Sequence, residues 1–158
     1  MTDFYTTGTR RGLGKLLKEK YGCVDSLEKC DIFINCKHDG FSQVDMLYKA
    51  AAMLGPVAGT SELALNKKII NIGSAASYLK PDMSHTKIKY GIEKRALRDA
   101  NNQLFWNGVD TTCINFGFFD TERVAHINEP KMRVEYCVEV IDWVLNQPYR
   151  VKELCVQI

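Results

Sequence analysis

Two rhythms of apolar residues alternate along this chain. Short runs rich in β-branched and aromatic residues occupy residues 3–7 (DFYTT), 31–35 (DIFIN), 68–72 (KIINI), 109–115 (VDTTCIN) and 151–158 (VKELCVQI). Brief apolar runs between turn signals suit strands buried on both faces. Between them the spacing becomes helical. Residues 15–21 read as a short amphipathic helix ending near Gly22. Over 41–54 the apolar positions are Phe41, Val44, Leu47, Tyr48, Ala51 and Met53 or Leu54, and over 90–106 they are Ile92, Ala96, Leu97, Ala100, Leu104 and Phe105. A last helix spans about 132–145, before Pro148. Gly55-Pro56 and Asn107-Gly108 supply stop signals. Residues 57–67 are less regular, with a turn of helix at 61–65, and a polar loop with Pro81 follows Ser74. Strands alternating with helices predict a single α/β domain over residues 1–158, its parallel sheet covered on both faces.

Composition narrows the class. The 158 residues suffice for one core, and 46% apolar with 25% charged residues is ordinary for a globular domain. A net charge of +2, with Lys and Arg scattered among acids, gives no nucleic-acid surface. No apolar run has the length of a membrane span, and the N-terminus lacks the pattern of a signal peptide. The six cysteines form no C-x-x-C pair, so neither a metal site nor a disulfide framework is expected. These features predict a soluble, intracellular (cytoplasmic) protein with reduced thiols, most of them small core residues.

Two stretches carry candidate chemistry. Residues 7–14, TGTRRGLG, lie between the first strand and the first helix. Glycines there allow a tight turn and close backbone approach, and the free N–H groups of the helix start favour phosphate. The spacing is Gly-x-x-x-Gly-x-Gly. Arg10 and Arg11 in the same loop could pair with a 2′-phosphate, which favours NADP(H), with NAD(H) also possible. The second stretch is 69–94. Ser74 ends a strand, while Tyr90 and Lys94 stand four apart on a helix and so share a face. A Lys⁺ beside the phenol would lower its pKa from about 10 toward neutrality, and Ser74 could bond the same substrate oxygen. His38, at a strand end, is a candidate for a proton relay, and His85 and His126 for substrate contact, although solvated surface positions account for all three.

The order of these motifs resembles the short-chain dehydrogenase/reductase family across nearly the whole chain. Thr7-Gly8-(x)3-Gly12-x-Gly14 matches its cofactor loop, and Asn35 lies where the family has Asn-Asn-Ala-Gly. Ser74, Tyr90 and Lys94 match its catalytic Ser and Tyr-x-x-x-Lys, and Gly117 with Thr121 its Pro-Gly-(x)3-Thr segment. The resemblance implies a Rossmann-like doubly wound parallel sheet, truncated to about five strands because the second and third strands of the usual fold are missing. The first strand would then be a sheet edge unless another subunit covers it.

The resemblance also implies roles. Tyr90 would be the general acid, Lys94 would lower its pKa and bond the nicotinamide ribose, and Ser74 would hold the substrate oxygen. Gly8, Thr9, Arg10, Arg11, Gly12, Leu13, Gly14, Asn35, Cys36, Lys37, Tyr90, Lys94, Gly117, Phe118 and Thr121 would border the cofactor. The implied activity is hydride transfer between nicotinamide and a small carbonyl or alcohol substrate, in a homodimer or homotetramer paired through the helices at 41–54 and 90–106. The departures point to an alternative: a dinucleotide-binding module of weak or no activity, with a regulatory or assembly role. The residues that read the adenosine side are gone, Cys36-Lys37-His38 puts bulk near the cofactor, and Phe116 replaces the Pro before Gly117. The family's further catalytic Asn has no match over 41–54, where Gln43 is the nearest amide and receives no role. Nucleotide-sugar epimerase or dehydratase chemistry uses the same constellation but normally needs a larger C-terminal domain than a chain ending at Ile158 provides.

Overall fold

A computed structural model describes residues 1–55, 67–78 and 85–158. The turn of helix expected at 61–65 and the loop around Pro81 lie outside the described residues. The chain runs β1 (Phe4–Thr6), α1 (Gly12–Tyr21), β2 (Ile32–Asn35), α2 (Ser42–Leu54), β3 (Lys68–Ser74), α3 (His85–Trp106), β4 (Thr111–Phe116), α4 (Val134–Leu145) and β5 (Glu153–Val156). The five strands form one parallel sheet in the order β1-β2-β3-β4-β5. This is a Rossmann-like α/β fold in shortened form.

Period-two alternation in buried strands divides the core in two. Ile34, Ile70, Ile72, Ile114 and Phe116 face Leu13 and Leu17 of α1 and Val138, Ile141 and Val144 of α4. Phe33 and Ile69 face Leu47 and Ala50 of α2 and Leu97 and Ala100 of α3. Each crossover steps the same way across the sheet, yet α1 and α4 cover one face and α2 and α3 the other. The two pairs of crossovers therefore have opposite hand. Because parallel crossovers are nearly always right-handed, one pair departs from the rule.

The first strand is an edge within this chain, but it is not bare. The short link after α1 lies along it: Val24 N–H donates to the Phe4 carbonyl at 2.8 Å, and Thr6 N–H to Cys23 Sγ at 3.4 Å. A turn of the chain's own backbone thus occupies the edge where the usual second strand would pair. Some helical positions read as core face outward instead. Phe41, Tyr48, Met53 and Ile92 are exposed, while Gln43, Glu93 and Lys94 are buried. A chain of side-chain amides and a hydroxyl crosses the α2/α3 side of the sheet. Asn35 Nδ2 donates to Asn71 Oδ1 (3.0 Å), Asn71 Nδ2 to Asn101 Oδ1 (3.1 Å) and to Thr111 Oγ1 (3.0 Å). Its members satisfy one another, as burial of polar groups requires.

Candidate active site

The glycine loop closes tightly between β1 and α1. Gly8 has φ +73°, in the left-handed region, and a Cβ on Gly14 would lie 2.2 Å from the Gly8 carbonyl oxygen. Only glycine fits at residue 14 without moving the loop. Thr7 Oγ1 accepts hydrogen bonds from the backbone N–H groups of Cys36 (2.9 Å) and Lys37 (3.0 Å), tying the loop to the end of β2. Across the cradle, Thr121 approaches the position of a Gly12 Cβ to 3.4 Å. Arg10 and Arg11 are exposed, and neither forms an ion pair among the described residues. The free N–H groups at the start of α1, the absent side chains and two unpaired guanidinium groups fit a dinucleotide's phosphates.

Other cofactor-side positions divide into backbone and side-chain roles. Leu13 is buried in the core, and Asn35 points inward, donating to Gln43 O at 2.7 Å. Only their backbones can face a ligand. Lys37 is exposed, Thr9 is half-buried, and burial pushes the Cys36 thiol up to about 11. Gly117 donates to the Val156 carbonyl, and a Cβ on it would meet Gln157 Cβ at 2.8 Å. Phe118 is exposed, and Thr121 precedes the 3₁₀ turn Glu122–Val124 without a side-chain capping bond.

The structure brings Ser74, Tyr90 and Lys94 together. Ser74 is the last residue of β3, and its Oγ accepts from Ala76 N–H at 3.1 Å. The turn Ala75–Tyr78 packs on α3 at Gly91, where a Cβ would stand 3.1 Å from the Ala76 carbonyl. That approach sets Ser74 beside the Tyr90 phenol as a hydrogen-bonding partner. Lys94, one turn further along α3, is buried, and its Nζ lies 5.6 Å from the Tyr90 ring centre.

Electrostatically the site differs from the sequence expectation. Burial raises the Tyr90 pKa, against smaller lowering effects from Ser74 and Arg123. Lys94 itself is brought down to about 8, chiefly by burial. Its Nζ points into the protein, donating to Gln43 Oε1 at 2.6 Å and to the Ile72 carbonyl at 3.0 Å. The amide that received no role is therefore the direct partner of Lys94. Gln43 is held in turn, its Nε2 donating to the carbonyls of Asn35 (2.8 Å) and Ile72 (3.1 Å).

His38 also belongs to the site. Its ring meets Tyr90 edge-on at 4.9 Å, and its Nε2 lies 3.1 Å from Oε2 of the buried Glu93. Burial lowers the His38 pKa, so near neutral pH the ring is uncharged and donates from Nε2. Its Nδ1 is buried without a hydrogen bond of normal geometry among the described residues, although the Gln43 side chain is close enough to act on the ring. A cavity of about 400 Å³ opens here, lined by His38, Tyr90, Glu93, Thr86, Lys89 and Arg123 among others. His126 is exposed, away from this lining. A helical turn between Tyr90 and Glu93 could have flagged Glu93 from sequence, but nothing local marks its pairing with His38.

No protein-family model matches the chain, and none of the curated proteins is similar to it by sequence. Solved structures are similar in fold. A short-chain dehydrogenase from Burkholderia cenocepacia in complex with NADP is 18% identical with a TM-score of 0.65, the match covering 98% of this chain and 87% of that one. The RhlG/NADP active-site complex of Pseudomonas aeruginosa is 16% identical, TM-score 0.68, covering 99% and 93%. The 3-alpha-hydroxysteroid dehydrogenase of Pseudomonas sp. B-0831 complexed with NADH is 14% identical, TM-score 0.69, covering 99% and 95%. Together with the glycine cradle, the strand order and the placing of residues 74, 90 and 94, these likenesses identify the fold as that of the short-chain dehydrogenases/reductases, in a shortened form.

Proposed function

We propose that the chain is an NADP(H)-dependent oxidoreductase acting on a small carbonyl or alcohol substrate, with NAD(H) as a weaker cofactor. The observation that carries this reading is the convergence of Ser74, Tyr90 and Lys94, with Tyr90 lining an open cavity. The bound nicotinamide supplies the hydride. Backbone N–H groups of the cradle hold its phosphates, and Arg10 and Arg11 favour the 2′-phosphate. Ser74 orients the substrate oxygen. Tyr90, kept neutral by burial, gives that oxygen its proton. Lys94 is mostly protonated at neutral pH, holds positive charge behind the tyrosine, and has a third N–H free for a ribose hydroxyl.

Replacing Tyr90 by Phe should abolish NADPH-dependent carbonyl reduction and leave NADPH binding, followed by fluorescence titration, within about two-fold of the wild type. A second reading has its own observation: the hydrogen bonds of Lys94 go to Gln43 and to backbone, away from the phenol oxygen. In a binding module without turnover, Tyr90→Phe would change neither property. The exposed Phe41, Tyr48 and Ile92 on α2 and α3 support a homodimer or homotetramer joined through those helices. Sedimentation should then give a dimer or larger species that Ile92→Glu reduces to a monomer.

A further inference from the structure

The cavity beside Tyr90 says more about the substrate than the resemblance does. Every described residue lining it is charged, polar, aromatic with a hydroxyl, or glycine, and none of them is aliphatic. Such a lining disfavours long acyl or steroidal groups, which need apolar walls. Its charges are unequally committed. Glu93 is held by His38 at 3.1 Å and, more loosely, by Lys89 at 4.0 Å. Asp39 is exposed and is not among the groups acting on Tyr90, Lys94 or His38. Arg123, on the short turn after β4, acts on all three, yet forms no ion pair among the described residues. It is an exposed cation that forms no salt bridge among the described residues and lines the same cavity as Tyr90.

We infer that the substrate of this site is a small, hydrophilic carbonyl compound carrying an anionic oxygen group, a carboxylate or a phosphate, with Arg123 as its counter-ion. A guanidinium fork pairs two oxygens of either group at once, which fixes orientation as well as adding affinity. The anion on Arg123 and the carbonyl oxygen between Ser74 and Tyr90 then define two points, and a short polar molecule spans them. This inference rests on the oxidoreductase reading for its chemistry, but the anion site can be measured independently of turnover.

The test compares matched carbonyl probes without and with an anionic group: 2-pentanone with 4-oxopentanoate, and dihydroxyacetone with dihydroxyacetone phosphate. Each is offered to the wild type and to Arg123→Gln, in the presence of NADPH. The charged member of at least one pair should be reduced with a kcat/KM about ten-fold or more above its neutral partner, the gain of a charged hydrogen-bonded pair. Arg123→Gln should erase that ratio by slowing the charged probe far more than its neutral partner, with NADPH affinity unchanged. The pair that responds tells carboxylate from phosphate. Equal use of both members, or an Arg123→Gln protein whose defect is weaker NADPH binding, overturns the inference. If NADPH does not bind the wild type, the oxidoreductase reading fails first. Ligand-observed NMR with 4-oxopentanoate and dihydroxyacetone phosphate on the free protein then decides the anion site. Binding lost in Arg123→Gln upholds it, and binding that is absent or unaffected overturns it.

Discussion

At the scale of single residues, the contact between Gln43 and Lys94 governs the site. A lysine 3% exposed keeps its charge only if acceptors replace water. Gln43 Oε1 and the Ile72 carbonyl are those acceptors. Replacing Gln43 by Leu removes the better one and also strands the carbonyl of Asn35. Loss of buried charged hydrogen bonding should cost about 2–3 kcal/mol in urea unfolding. It should also move the Lys94 pKa below about 8, since the charged form loses a stabilising partner. Unchanged unfolding at pH 7 would mean that water replaces the amide. This residue shows where sequence reading stops. A glutamine in the first turn of a helix normally faces solvent, so polarity placed Gln43 outside and the aromatic Phe41 and Tyr48 inside. The reverse holds because α2 turns its amide toward a buried lysine on α3, 51 residues away in sequence. Ser74, Tyr90 and Lys94 were legible because their spacing is local or lies at an element's end.

Elements were legible for a different reason. Buried parallel strands must be apolar on both faces, so the sequence runs at residues 31–35 and 68–72 coincide with β2 and β3 to within two residues. What the runs could not supply was the hand of each crossover or the fate of the β1 edge, because both depend on which face a helix takes. The βα turn is the element on which the proposed nucleotide binding rests, and its geometry makes it sensitive to change. Gly14→Ala would put a methyl group 2.2 Å from the Gly8 carbonyl oxygen, a backbone atom that cannot yield without opening the loop. Overpacking of this kind costs about 1–3 kcal/mol. Chemical denaturation should show that loss, and NADPH titration should show affinity falling together with it. Stability lost with NADPH binding intact would place the phosphates elsewhere than this cradle.

For the whole molecule, stability against pH joins these parts. Burial raises the thiols of Cys30 and Cys36 to about 11 and those of Cys113 and Cys137 to about 12. An unfolded thiol ionises near 8.5. Between roughly pH 8.5 and 11 the folded chain therefore holds protons that the unfolded chain has lost, and stability falls as pH rises. Lys94 works in the opposite sense. Folded, it releases its proton near 8, whereas unfolded it keeps it to 10.5, so over that interval it adds stability as pH rises. Four thiols outweigh one amine, and the slope for each net proton is about 1.4 kcal/mol per pH unit. Urea titrations under reducing conditions at pH 7, 8, 9 and 10 should show little change to pH 8 and a steepening loss beyond 9. Lys94→Met removes the opposing contribution, so its curve should fall more steeply than the wild type between pH 8 and 10. Parallel curves for the two proteins would mean that Lys94 is solvated in solution. The burial that draws it into the sheet, and with it the account of how Gln43 holds the site together, would then be wrong.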